Sequence, residues 1–334
     1  MKKYISIILM AVMLLVSLSA CGKENATNSI KDEKIQIVTT IFPEYDWVRE
    51  ILGDNLPQAE ITMLLDNGVD LHSYQPTAED IMKISECDLF IYVGGESDGW
   101  VEDALKEVVN KDIKVVNLIE ALGDEVKEEE MVDGMQESEH HHSHHEDLNE
   151  SMEHEKENDE HVWLSLKNAE ILCNEISGAL QKIDSDNAQI YETNTSVYIE
   201  KLKELDNEYQ NAVCDTAKNT IVFGDRFPFR YLADDYGLEY YAAFAGCSAE
   251  AEASFETVTF LAQKIDELNL KTVLTLERSD GKIATTIIQN TNDKNQTILQ
   301  MDSMQSVTLD DVKNGITYLS VMESNLNVLK EALQ

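Results

Sequence analysis

From Ile35 onward, short apolar runs rich in β-branched residues alternate with stretches whose apolar positions recur at helical spacing. Strand-like runs fall at 35–40, 60–65, 88–93 and 113–117, with helical patterns starting at Glu44, at Ala78 and near Trp100. The alternation resumes after residue 219, with strands at 220–223, 239–244, 272–276 and 297–300 and helices over 229–236, 255–268, 283–289 and 314–333. Strands separated by helical crossovers predict an α/β class made of two lobes, each a mostly parallel sheet flanked by helices. Between the lobes, residues 185–217 contain neither Gly nor Pro and carry Ile190, Val197, Leu202, Leu205 and Tyr209 at roughly helical spacing. One helix of that length, ~50 Å, would join both lobes as a stiff strut and permit rocking rather than wide hinge opening. Thr77-Ala78-Glu79-Asp80 has the form of a capping box and fixes where the preceding loop ends.

The first twenty residues follow a different pattern. Lys2 and Lys3 precede an apolar stretch from Tyr4 to Ala20, which meets Leu18-Ser19-Ala20-Cys21-Gly22. Charge, apolar run and small residues before a Cys predict a lipoprotein signal peptide over 1–20, with the Cys21 thiol taking the lipid. The stretch is marginally short for an uncleaved membrane anchor. Residues 21–34 are polar and read as a tether, followed by an amino-terminal lobe over 35–184, the linking helix over 185–217 and a carboxy-terminal lobe over 218–334. No later segment approaches the ~18 apolar residues of a membrane span, which predicts a body working on the extracytoplasmic face of a cell membrane, held by lipid.

The chain of 334 residues carries 26 Lys+Arg against 64 Asp+Glu, a formal charge of −38. Such a field repels phosphate backbones and anionic lipid headgroups, which excludes nucleic-acid and polybasic membrane roles and makes cations the natural partners. The five Cys are widely spaced, with no C-x-x-C pair, so a disulfide scaffold is excluded. Beyond Cys21, the remaining four read as small buried apolar residues. Trp47, Trp100 and Trp163 read as packing residues.

Residues 124–160 interrupt the first lobe with 16 Asp+Glu, two Lys and six of the eight His, at 140, 141, 142, 144, 145 and 154. That composition buries too little apolar surface to offset ordering and predicts a mobile loop. Clustered imidazoles flanked by carboxylates suit a low-affinity collector of zinc; the alternative is a solvated acidic linker.

The two remaining histidines carry more information. His72 lies in the loop Asp66 to Pro76 that leaves a strand, and His161 lies just before a helix, in Glu160-His161-Val162-Trp163-Leu164-Ser165. Both positions map to the carboxyl edge of the first sheet, where ligands of parallel α/β sheets collect. Gly224-Asp225-Arg226 and Gln300-Met301-Asp302-Ser303 occupy equivalent edges of the second sheet. Two imidazoles facing carboxylates make a nitrogen and oxygen site suited to a divalent metal such as zinc or manganese. A helix or turn cap is the competing role for Asp302.

The lipobox, Ile37-Val38-Thr39-Thr40-Ile41-Phe42-Pro43, Leu71-His72-Ser73-Tyr74-Gln75-Pro76-Thr77, His161-Val162-Trp163-Leu164-Ser165 and Tyr231-Leu232-Ala233-Asp234-Asp235-Tyr236-Gly237-Leu238, taken in that order, resemble the cluster A-I metal-binding lipoproteins of bacterial ABC importers. The match covers essentially the whole mature chain. The resemblance implies a two-lobed receptor, monomeric, that captures a divalent metal between its lobes and delivers it to a membrane permease. It places His72 and His161 on the family's first two ligands and Asp302 on its last. The family's third ligand would fall on Arg226, whose guanidinium has no lone pair to give. Asp225 next door is the foremost substitute, with Glu252 or a water as alternatives; pairing with one of these carboxylates is another role for Arg226. Glu277 would stand behind a ligand imidazole, or act as a cap.

The leading function is therefore an extracytoplasmic zinc receptor, with manganese the less favoured metal. A secreted zinc hydrolase is a competing reading, although the chain lacks His-Glu-x-x-His, His-x-x-Glu-His and Walker motifs. A surface metal buffer or adhesin is the third.

Overall fold

The computed structural model describes residues 34–53, 58–136, 157–248 and 252–334. The signal peptide, Cys21 and the six clustered histidines lie outside the described residues. Two four-stranded sheets form the body. The first contains β1 (Ile35–Thr39), β2 (Ala59–Met63), β3 (Leu89–Tyr92) and β4 (Lys114–Asn117) in the order β2-β1-β3-β4. The second contains β5 (Thr220–Phe227), β6 (Glu239–Ala245), β7 (Thr272–Leu276) and β8 (Thr297–Met301) in the order β6-β5-β7-β8. Every pairing is parallel. Strand order reverses at β1/β3 and at β5/β7, and crevices that take ligands open beyond the carboxyl ends of such strands.

Helices α1 (Phe42–Leu52), α2 (Ala78–Glu86), α3 (Val101–Lys106), α4 (Leu118–Leu122) and α5 (Leu166–Ile183) belong to the first sheet. The Thr77 hydroxyl accepts from the Asp80 amide (3.2 Å) while the Thr77 amide donates to the Asp80 carboxylate (2.8 Å), so the capping box starts α2 as its sequence dictates. Helix α6 (Ala188–Cys214) is the 27-residue strut expected between the lobes. Its buried Tyr198, Leu202, Leu205 and Tyr209 fall on one stripe, whereas the expected core positions Ile190 and Val197 are exposed. Helices α7 (Arg230–Tyr236), α8 (Phe255–Leu268), α9 (Lys282–Asn290), α10 (Leu309–Lys313) and α11 (Tyr318–Ala332) complete the second lobe. The terminal helix expected over 314–333 begins only at Tyr318, and the unexpected α10 precedes it; Gly315 between them has a φ of +99° that a helix cannot hold.

One buried apolar cluster runs from Ile37 and Val48 of the first lobe through Leu172, Leu202 and Leu205 to Leu274, Leu326 and Leu329 of the second. A smaller one lies under the other face of the second sheet, around Val222, Leu261 and Val273. Because the larger core is shared, wide separation of the lobes would expose apolar surface at ~25 cal/mol per Å². Hydrogen bonds reinforce it: the Tyr318 hydroxyl donates to the Trp163 carbonyl (2.7 Å) and the Tyr209 hydroxyl to the Met322 carbonyl (2.6 Å).

Part of the acidic segment departs from the expected mobile loop. Residues 127–129 pair with 157–159 as a short antiparallel stem, through Glu129 N to Glu157 O and Asp159 N to Lys127 O (both 2.8 Å). Val126, Val132 and Met135 pack against the core, and the Gln136 amide donates to the Ala243 carbonyl (3.0 Å). These apolar residues, spaced among the acids, supply the burial that composition alone concealed.

The amino terminus of α11 is anchored on α1, where buried Asp46 accepts from the Tyr318 amide (2.8 Å). Burial pushes the Asp46 carboxyl up to about 6, against the Tyr318 hydrogen bond that favours the charged form. The unfolded chain therefore releases this proton first, and stability falls as pH rises through the interval between the two values. Relative to Asp46→Asn, the wild type should lose about 3 kcal/mol of unfolding free energy between pH 3.5 and 6.5. Denaturant titrations of both proteins across that range measure the difference.

Candidate metal centre

His72 sits in a one-turn helix, Leu71–Ser73, in the loop after β2. Asp70 caps that turn, accepting from the His72 amide (3.0 Å). The His72 Nδ1 faces the Ser97 hydroxyl (2.8 Å), from the loop after β3, and a Glu160 carboxylate oxygen (3.4 Å). His161 is fully buried ahead of the turn Val162–Leu164. One Asp159 oxygen accepts from the His161 amide (2.9 Å) and faces its Nδ1 (3.0 Å). Oxygen partners at both Nδ1 atoms assign the proton to Nδ1 in each ring and leave Nε2 as a bare lone pair.

Those two Nε2 atoms face one another at 3.3 Å. Two lone pairs cannot bond each other, so the arrangement favours a cation between them. Two nitrogens of a tetrahedral zinc, at bonds of about 2.0–2.1 Å, stand about 3.3–3.4 Å apart. Among the described residues, the group able to hold a metal ion is His72, His161 and Cys247, whose ligand atoms all lie within 4.8 Å of one another.

Buried carboxyls crowd behind the imidazoles. Burial and the neighbouring Asp98 push Glu44 well up, and burial with the nearby Glu160 charge pushes Asp98 up to about 7. Burial also acts to raise Glu160 and Asp70, yet both end lowered, Glu160 by the facing His72 ring edge and by hydrogen bonding from Ser97, and Asp70 by the charge and hydrogen bond of Arg226. Glu160 thus remains an anion beside the ring edge of His72. One of its buried oxygens, Oε2, makes no hydrogen bond among the described residues.

The carboxy-terminal lobe arrives differently from expectation. Its strand β5 runs to Phe227, and an extra residue between Phe223 and Arg226 bulges it against β6. Gly224 at the bulge is required by packing, since a Cβ there would stand 2.6 Å from the Ala284 Cα of α9. The bulge turns Asp225 onto backbone amides, of Arg226 (2.9 Å) and of Leu276 on β7 (3.4 Å). Asp225 accordingly lines a cavity of about 270 Å³ with Arg226, Glu277, Arg278 and Gln305, and is not part of the histidine cluster. Asp302 also lies outside that cluster and accepts from the Met304 amide (2.7 Å), as its turn-capping alternative required. Glu277 holds the Ser303 amide and hydroxyl (2.8 and 2.7 Å), and burial beside Asp302 pushes it up to about 7. Glu252 is exposed and likewise outside the cluster.

Arg226 pairs with Asp70 (2.7 Å), a carboxylate of the opposite lobe that sequence reasoning passed over, and reaches the Ser248 carbonyl (3.5 Å). Of the four thiols read as buried, Cys87 and Cys173 are buried, Cys214 is exposed and Cys247 reaches the histidines. The signal for Cys247 was its place: it follows β6, at the same carboxyl edge as Asp225. Gly246 before it allows the approach, because a Cβ there would stand 2.9 Å from the His161 ring.

Residues 37–332 match the family model of the zinc-uptake complex component A, periplasmic. The zinc-binding lipoprotein AdcA of Streptococcus pneumoniae is 31% identical over 97% of this chain, which spans 60% of that protein's length. The high-affinity zinc uptake system protein ZnuA of Bacillus subtilis is 28% identical over 99% of this chain and 98% of its own. Among solved structures, the Zn(II)-bound ZnuA-like domain of S. pneumoniae AdcA superposes with a TM-score of 0.68 at 28% identity, covering 90% of this chain and 99% of that one. The metal-dependent lipoprotein YcdH of B. subtilis gives 0.70 at 26% identity, covering 90% and 99%. With two parallel-sheet lobes, a joining helix and a matched span that includes both facing imidazoles, this chain belongs to the periplasmic zinc-uptake component A family.

Proposed function

We propose that the protein is an extracytoplasmic receptor that takes up one zinc ion at the facing Nε2 atoms of His72 and His161 and delivers it to an ABC permease. The observation that carries this reading is the 3.3 Å separation of two imidazole nitrogens whose opposite edges are both engaged by oxygen. Imidazole pairs favour zinc over manganese, whose preferred donors are oxygens. Asp302 supplies the oxygen donor of the second lobe in this reading: it adjoins Ser303, whose carbonyl accepts from Trp163 Nε1 (2.9 Å), and the Trp163 ring lies 5.3 Å from that of His161. Asp225 acts indirectly, holding β5 to β7 beneath the cleft. A lipid on Cys21 tethers the chain to the membrane, a role supported by the sequence Leu18-Ser19-Ala20-Cys21. The described body is a binding protein that carries its ion unchanged.

Competition with a chromophoric chelator tests the site. Wild type should hold one tight zinc, and His72→Ala or His161→Ala should each lose more than the about 100-fold that removal of a supporting partner can cost. Asp302→Asn should weaken binding by less than either. Serine in place of the six histidines at 140–154 should leave the tight site intact; loss of tight binding there, with both Ala variants unaffected, would move the site into that segment.

The supporting carboxylate gives a separate expectation. Asp159→Asn leaves the carbonyl acceptor in place but removes the charge that fixes the His161 tautomer, and should weaken zinc by about 10–100-fold at unchanged stoichiometry. Isothermal titration at pH 7 reads both quantities.

A further inference from the structure

The two imidazoles leave a tetrahedral ion short of donors, and the residue that the second lobe presents to them is Cys247. We propose that Cys247 binds the zinc as a thiolate, adding a sulfur to the two imidazole nitrogens and the Asp302 oxygen and making the site selective against manganese. This deepens the receptor reading and rests on it.

Geometry carries the proposal. The sulfur and both nitrogens lie within 4.8 Å of one another, whereas Zn–S at about 2.3 Å and Zn–N at about 2.0–2.1 Å require N···S near 3.6 Å. A contraction of about 1 Å, by rotation of the Cys247 side chain or rocking of the lobes, closes the site. The loop bearing the thiol is held on three sides. Its amide donates to Glu129 Oε1 (3.2 Å), Gly246 lets its backbone lie against the His161 ring, and the next carbonyl, of Ser248, is reached by Arg226 (3.5 Å). Arg226 in turn grips Asp70 Oδ2 (2.7 Å), while Asp70 Oδ1 accepts from the His72 amide (3.0 Å). The chain His72, Asp70, Arg226, Ser248 and Cys247 therefore staples one donor to another across the lobes, and Arg226 acts as a positioning residue rather than a ligand.

On uptake the Zn–S bond forms, the S–H bond breaks and the proton leaves to solvent, since a coordinating thiol is deprotonated outright. Thiolate suits zinc, while manganese prefers carboxylate, carbonyl and water.

Cobalt(II) titrated into the full-length wild type should bind one equivalent with intense thiolate-to-cobalt absorption in the near ultraviolet. Cys247→Ser should abolish that absorption and Cys214→Ser, at the exposed thiol, should keep it. Cys247→Ser should lower zinc affinity by about 100-fold or more and manganese affinity by less than about tenfold. In the unaltered protein, zinc loading should protect Cys247 from iodoacetamide, which keeps the test independent of whether the variants fold. One tight equivalent without the absorption, or unprotected Cys247 in the zinc-loaded wild type, overturns thiolate ligation and leaves the receptor reading standing. Undiminished zinc binding by His72→Ala overturns the receptor site itself.

Discussion

Two imidazole Nε2 atoms held 3.3 Å apart are the constraint that most of the surrounding structure enforces. Each ring is fixed from behind: Asp159 holds both the backbone and the far edge of His161, while Ser97, Glu160 and Asp70 do the same for His72. Such constraint works only if its anchors do not move. Three of them, Asp159, Glu160 and His161 itself, are almost fully buried, and the Trp163 carbonyl and indole two residues on are tied to Tyr318 and Ser303 of the other lobe. The spacing of the two rings is thus sustained by packing.

Stiffness follows from the same arrangement. The lobes have the same strand order, and each offers the carboxyl ends of its strands to the cleft. They are also joined by α6 and by a hydrophobic core that passes from one to the other. A two-lobed body built this way moves by rocking through small displacements, because larger ones would uncover the shared core. That suits a metal ion, whose bonds of about 2 Å discriminate through small changes in donor position.

Much of this was legible in the sequence, because strand and helix periods differ and neither lobe is interrupted by ambiguous runs. Strands β1, β6 and β7 and helices α6, α8 and α9 fall within a few residues of the apolar patterns that predict them. Where tertiary contacts decide, the pattern failed: β5 extends through Gly224-Asp225-Arg226 because the bulge and the close packing of α9 order residues that read as a loop. Residues 126–136 follow the body although acids dominate them, since three apolar side chains suffice to fix a short stretch. His72 and His161 were recognisable because each stands alone at a strand-to-helix junction. Cys247 was less so: its place after β6 was the one signal, and its proximity to residues 86 and 175 positions away is three-dimensional.

The placement of Arg226 shows how a strongly acidic molecule arranges one positive charge. In a chain of formal charge −38, an arginine in the cleft would be drawn to any of several carboxylates, Asp225 and Glu277 among those lining the same cavity. It pairs instead with Asp70, whose other oxygen caps the turn bearing His72, so the ion pair is half of a mechanical link. Neutralising Asp70 in this way leaves the ionised Glu160 as the carboxylate closest to the His72 ring edge, where it polarises the imidazole toward a bound cation. Spending the arginine on Asp70 also draws the first lobe's loop toward the loop carrying Cys247. Replacement of a would-be ligand by a cation is thereby consistent with metal binding: Arg226 contributes geometry, through the Ser248 carbonyl next to Cys247.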